Sequence, residues 1–201
     1  MFRRCLFILV FLACALALAA PASALNYHVR VEGKTQTIFG ATEPRFVSGA
    51  ARVSALDALE AASLAGEFYY HLEVTSFGPY VDQVGRFAGA GTAGWAFKVN
   101  GASPPVGADQ VALAEGDRVV WYWAQFGIAG GPETLHLTKT SGRCYRVSAR
   151  DDRGLERATT GATLRVDGKS YVTRAGRACL PKHVGLVRAY RGGSIRSNAA
   201  R

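Results

Sequence analysis

The chain holds few side chains spaced for chemistry. Its four histidines, His28, His71, His136 and His183, fall in separate stretches. None stands at a spacing that lets two of them share a metal ion, so they read as surface or hydrogen-bonded histidines. Asp151 and Asp152 sit side by side in the turn-forming run D-D-R-G and read as turn residues. There is no G-x-S-x-G, no H-E-x-x-H, no phosphate-binding loop and no cysteine and histidine in register. The glycine run at 89–94, G-A-G-T-A-G, leads into a strand pattern rather than a helix. It therefore lacks the helix N-terminus that would hold an anion. The chemistry expected is recognition, not catalysis, and no enzyme activity is expected.

Aromatic residues are the resource for recognition. All three tryptophans, Trp95, Trp121 and Trp123, lie between residues 94 and 127, with Phe97 and Tyr122 among them and Phe77 and Tyr80 just upstream. On a strand over 118–123, Trp121 and Trp123 point one way and Tyr122 the other. Two readings stay open. The rings fill a core, or some form a flat apolar platform for a planar ligand, because a sheet backed by one helix buries only one face well.

The elements that must position these rings follow from periodicity. Trp95, Phe97 and Val99 alternate with Ala96 and Lys98, as in a strand with one apolar face. Asn100-Gly101 supplies a turn tolerant of positive φ, and residues 118–123 are β-branched or aromatic. Near the start, Tyr27, Val29 and Val31 share a strand face, 35–39 returns as the second arm of a hairpin, and 41–49 is a loop. Residues 53–65 form a helix, with Ser54 as cap, Asp57 completing a capping box, Gly66 as terminator and Leu56, Leu59 and Leu64 in the apolar stripe. Strands over 69–75, with Tyr70, Leu72 and Val74 inward, and over 80–84 come next. This is the order of a β-grasp, a ubiquitin-like mixed sheet around one helix. After the glycine-rich stretch 126–132 only short strand candidates appear, at 134–138, 143–150, 162–166, 169–173 and 186–191, parted by glycine turns. That argues a small β-sandwich. The fold class expected is α+β followed by all-β.

The motifs carry a resemblance. S-x-G-x-Y-V from Ser76, G-W-x-F-x-V-N-G from Gly94, P-x-V-G-A-D from Pro104 and L-x-x-G-D-x-V-x-W-Y from Leu113 stand in that order. Together they resemble the transcobalamin-like C-terminal domain, over about residues 26–126. That domain closes over cobalamin in transcobalamin and intrinsic factor, and also occurs alone as a bacterial extracellular domain of unknown function. The resemblance implies a β-grasp. In the cobalamin-binding relatives the corresponding loop, and the aromatic residue opening the preceding strand, face the corrin. Carried over by motif, this points to Trp95, Pro105 and Val106, with Phe77 and Tyr80 from the upstream piece, as ligand-binding residues. The residues themselves imply no cofactor, and cobalamin is what the resemblance implies. The helical barrel that holds most of the vitamin in those relatives is not part of these 201 residues. Further on, G-A-T-L-R-V-D-G-K, T-R-A-G-R-A-C-L and V-R-A-Y-R-G-G resemble the carboxypeptidase regulatory-like domain, a prealbumin-like sandwich, over about residues 135–197.

Composition sets the compartment. Arg3-Arg4, an apolar run over 6–18 and Ala22-Ser23-Ala24 read as a secretory signal peptide over residues 1–24. A lipoprotein reading would need cleavage before Cys14, where Phe11 makes a poor lipobox. No later apolar run could span a membrane. The domains expected are 1–24 signal peptide, 25–132 β-grasp and 133–201 β-sandwich. Cys144 and Cys179, 35 positions apart in an exported chain, are expected to form a disulfide. A metal pair or a reactive thiol would need neighbouring ligands that the sequence does not place. Residues 25–132 carry seven Lys/Arg and ten Asp/Glu, whereas residues 133–201 carry fifteen and five. Such asymmetry implies two different surfaces. The basic one reads as a solvated face, or as an adhesive one for an anionic cell-envelope component, and nucleic acid is not expected. The protein so read is an exported, non-catalytic binding protein whose first domain holds a small apolar or planar ligand. The alternative is a structural or adhesive envelope protein without one.

Overall fold

The computed structural model describes residues 24–76, 78–127 and 130–201. The expected signal peptide up to residue 23, Phe77 and part of the expected boundary at 126–132 lie outside them. The described chain is rich in strand and contains one α-helix. In chain order come β1 (Leu25–Glu32), β2 (Thr37–Phe39), β3 (Arg45–Ser48), α1 (Ala55–Gly66), β4 (Tyr70–Thr75), β5 (Gly78–Val84), β6 (Phe87–Ala88), β7 (Ala93–Val99) and β8 (Asp117–Gln125). Then follow β9 (Thr134–Lys139), β10 (Cys144–Arg150), β11 (Glu156–Ala158), β12 (Thr163–Val166), β13 (Lys169–Val172), β14 (Arg177–Cys179), β15 (Val187–Tyr190) and β16 (Ala199–Ala200).

The first sheet runs β2-β1-β8-β7, with β3 beside β2 on the same edge of β1. β1 and β8 pair in parallel, and the other pairs are antiparallel. The stretch 41–49, expected as a loop, contains β3. A register shift at Val31/Glu32 marks the irregular end of the β1–β2 ladder, and residues 25–28 take β3 as their partner. Val74, expected inward, is 87% exposed. It lies beside the Thr75–Gly78 tip of the β4–β5 hairpin, beyond the reach of the core.

α1 begins as its sequence dictates. The Asp57 amide donates to Ser54 Oγ (3.1 Å), and the Ser54 amide donates to the Asp57 carboxylate (2.7 Å). Its end differs from expectation. Gly66 stays helical, and Glu67 takes the left-handed C-cap at φ 51°. Gly66 answers a spatial need instead: a Cβ there would come within 2.6 Å of the Phe39 ring. The buried stripe is Ala55, Ala58, Leu59 and Ala62, while Leu64 is 72% exposed. Alanines let the helix axis approach β1 and β8 closely, so the stripe turns toward them and away from Leu64.

Residues beyond 133 build two further sheets, β9–β10 with β11 and β14, and β13-β12-β15-β16. Leu135, Leu137, Tyr145 and Val147 from one share a core with Leu164, Val166, Val187 and Ala189 from the other. Cys144 and Cys179 form a disulfide between directly paired residues of β10 and β14. The strands missed by sequence, β11, β14 and β16, are only two or three residues long, too short to show a period.

The face of the first sheet opposite α1 is covered by the C-terminal part of the chain. Arg30, Glu32, Lys98, Val120 and Tyr122 are all buried there, and Ile195 packs on Val120 and Tyr122. Glu32 is ion-paired to Arg30, Arg188 and Arg196. Glu43 is ion-paired to Arg30 and Arg118. Burial alone would raise both carboxyls, but the guanidiniums outweigh it and hold them below the usual carboxylate range. Arg188 and Arg196 are thus interface residues, a correction to reading this region's arginines as a solvated surface. No helix among the described residues is long and apolar enough to cross a membrane.

Candidate functional site

β7 is the last strand of its sheet, and beside it opens a cleft of about 380 Å³. Three segments make its walls: the start of β5, the strands β7 and β8, and the loop 103–108. Gly131 and Asp152, from the chain after β8, close one end.

Each wall is held by local chemistry. Trp95 donates its indole N–H to the Phe87 carbonyl (2.6 Å), and Trp121 donates to the Ala55 carbonyl (3.1 Å). Phe97 stacks on Trp121 with ring centroids 5.1 Å apart. The Tyr80 hydroxyl lies over Gly94, where a Cβ would come within 2.7 Å of it. Asn100 and Gly101 take φ 53° and 88° and close a two-residue turn between Val99 and Ala102. The chain then enters a loop fixed at both ends. The Ser103 amide donates to the Asp152 carbonyl (2.8 Å), and the Ala108 carbonyl accepts from the Leu56 amide at the start of α1 (3.1 Å).

Asp152 is the one carboxylate on the cleft wall. It accepts from Lys98 Nζ (2.8 Å), the Gly131 amide (2.7 Å) and Ser103 Oγ (3.2 Å). Partial burial would raise its pKa, but these donors and the Lys98 charge prevail and keep it low, so it is ionised at neutral pH. Tyr122 lines the same end. Burial, reinforced by the Asp152 charge, pushes its phenol up to about 12. The cleft is therefore aromatic along its length with one hydrogen-bonding end, where the Ser103 hydroxyl donates to Asp152.

The structure brings together some of the residues expected from sequence and leaves others apart. Tyr80 and Trp95 line the cleft. Tyr80 is 43% exposed, whereas Trp95 is 3% exposed and belongs to the core, reaching the cleft as wall rather than platform. Pro105 and Val106 lie on the outward side of the loop, and its neighbours Ser103, Pro104, Gly107 and Ala108 line the cleft instead. Phe77 lies outside the described residues. Asp152, read from sequence as a turn residue, closes the site. Its signal would have been Lys98, a cation in an apolar strand that needs an acidic partner, although nothing in the sequence says which. Among the described residues, no three His, Cys, Asp or Glu side chains are grouped to hold a metal ion.

Residues 53–125 match a family described as a domain of unknown function (DUF4430). Among solved structures, the chain aligns with a candidate metal binding protein from Ruminococcus gnavus ATCC 29149 at 18% identity, covering 51% of this chain and 99% of that one, with TM-score 0.39. It also aligns with haptocorrin in complex with Cbi at 19% identity, covering 54% of this chain and 27% of that one, with TM-score 0.45. A search of curated proteins gave no match.

Proposed function

We propose that the protein is an exported, non-catalytic binding protein whose cleft beside β7 holds a small, largely apolar, planar ligand. The observation that carries this reading is the cleft itself, about 380 Å³ in volume and walled by Tyr80, Trp95, Phe97, Trp121 and Tyr122. Its size falls in the range of small-molecule sites, which are mostly apolar with a few fixed polar groups. Asp152 and Ser103 are those groups. In this reading residues 25–132 are a β-grasp domain of the transcobalamin-like kind, and the DUF4430 match lies within it. Residues 133–201 are a prealbumin-like sandwich that completes the cleft with Gly131, just before it, and Asp152. The disulfide agrees with an oxidising compartment. A structural role without a ligand would favour a sealed sheet edge at β7.

A thermal-shift panel of corrinoids, haem and peptidoglycan fragments tests this, since a ligand that prefers the folded state raises the melting temperature. Tyr80→Ala removes a half-exposed ring and should leave the unliganded melting temperature nearly unchanged while abolishing the ligand shift. A ligand that stabilises Tyr80→Ala and the parent equally would place the site elsewhere.

A further inference from the structure

On the outer face of the β9–β10–β14 sheet, four residues stand in one row across the strands. Thr138 on β9 pairs with Arg146 on β10. Arg146 pairs with Arg177 on β14, and Arg177 pairs across a tight turn with Arg174. Directly paired residues share a face, so the three arginines stand side by side with their backbones at the spacing of adjacent strands, about 5 Å. All three arginines are exposed. Among the described residues none of the three side chains has an acidic partner or a side-chain hydrogen bond.

Like charges placed directly opposite each other on a sheet are destabilising. Elsewhere Arg30, Arg118, Arg150, Arg153, Arg157, Arg188, Arg191 and Arg196 each meet a carboxylate. The row is also pinned. The Cys144–Cys179 bridge joins the same two strands two residues away, on the same face, and holds Arg146 against Arg177. β14 cannot slide to relieve the repulsion.

We infer that this row is a docking surface for a linear, phosphate-bearing polyanion. A guanidinium presents its donors in a fork that takes an oxyanion in two parallel hydrogen bonds. Three forks in line fit a chain of repeated oxyanions, and the Thr138 hydroxyl adds a donor at the row's end. The face suits a polymer better than a lipid surface, because none of the exposed large apolar side chains lies on β9, β10 or β14. The inference is independent of the cleft, which lies beside β7.

The test is binding of inorganic polyphosphate to the full chain over a range of salt. Arg146→Gln with Arg177→Gln should weaken binding by about tenfold or more and reduce the slope of log K against log salt by about one to two. The same change at Arg165 and Lys169, exposed on β12 and β13, should alter affinity by less than about twofold. The double variant should melt no lower than the parent, since repulsion is removed. If it melts lower, Arg174→Gln in the turn decides, with a loss of about threefold or more and a slope reduced by about one expected for the single charge. Unchanged affinity in the folded variants overturns the assignment. So does tighter binding of polyglutamate at equal charge, or of anionic phospholipid vesicles, which would make the surface one for carboxylate polymers or for membranes.

Discussion

Lys98 has no contact with water, and its ammonium rests on the Asp152 carboxylate and the Pro132 carbonyl. Removing Asp152 leaves a buried cation with one partner. Breaking a fully buried ion pair costs about 3–5 kcal/mol. Asp152 keeps a third of its side chain in water, so Asp152→Ala should cost less, about 2 kcal/mol in urea unfolding. Lys98→Met on top of it should recover most of the loss, and a double variant as unstable as the single one would show that Asp152 acts otherwise. Tyr122 supplies a second readout at this scale. Its phenol and that of Tyr70 are both raised to about 12, so both should ionise last in an absorbance titration, and Tyr122→Phe should delete one late step. A raised folded pKa means stability that is complete below the ordinary tyrosine value and lost as pH climbs toward the folded value. Tyr122→Phe should therefore soften alkaline unfolding.

Among the elements, α1 shows how a residue type can be right for a reason other than the obvious one. Gly66 was expected to terminate the helix, yet it lies within it, where Phe39 leaves no room for a Cβ. Gly→Ala inside a helix normally gains about 0.5–1 kcal/mol. Here Gly66→Ala should lower the melting temperature, and a rise would mean that Phe39 moves aside freely. Ser54→Ala should cost about 1 kcal/mol through loss of the cap. In the C-terminal sheets, replacing Cys144 and Cys179 by alanine opens a 35-residue loop. That should cost roughly 2–4 kcal/mol, measured by denaturant unfolding.

At the scale of the molecule, the decisive feature is the ionic layer between the first sheet and the residues after 133. Glu32 and Glu43 have lowered pKa values against a burial cost that would raise them. A depressed carboxylate contributes stability above its unfolded pKa and loses it as pH falls through the folded one. The interface should hold at neutral pH and loosen once pH falls below the usual carboxylate range. Proteolysis within 126–132 should accordingly give two pieces that co-elute in gel filtration at pH 7 and separate in acid. Glu32→Gln should weaken their association at pH 7. Pieces that separate at pH 7 in the parent would show that the layer contributes little to holding them together.

Local order was legible in the chain. Tyr27, Val29 and Val31 alternate and are buried, and Ser54 and Asp57 form their box. Asn100-Gly101 makes its turn, and the two cysteines left after the expected cleavage are joined. Each depends on neighbours a few residues away, or on there being only two cysteines to pair, so composition and period suffice. What only the tertiary structure decided is which side chains from distant segments meet. Asp152 and Lys98 lie 54 positions apart, and Arg188 meets Glu32 across 156. No period encodes such a pairing. Whether Trp95 is platform or wall was likewise undecidable locally, because both readings need an aromatic on the same strand face. Burial of that ring depends on Phe87, β5 and the loop 103–108 closing around it, and their approach is set by the packing of the whole sheet on α1 and on the residues beyond 133.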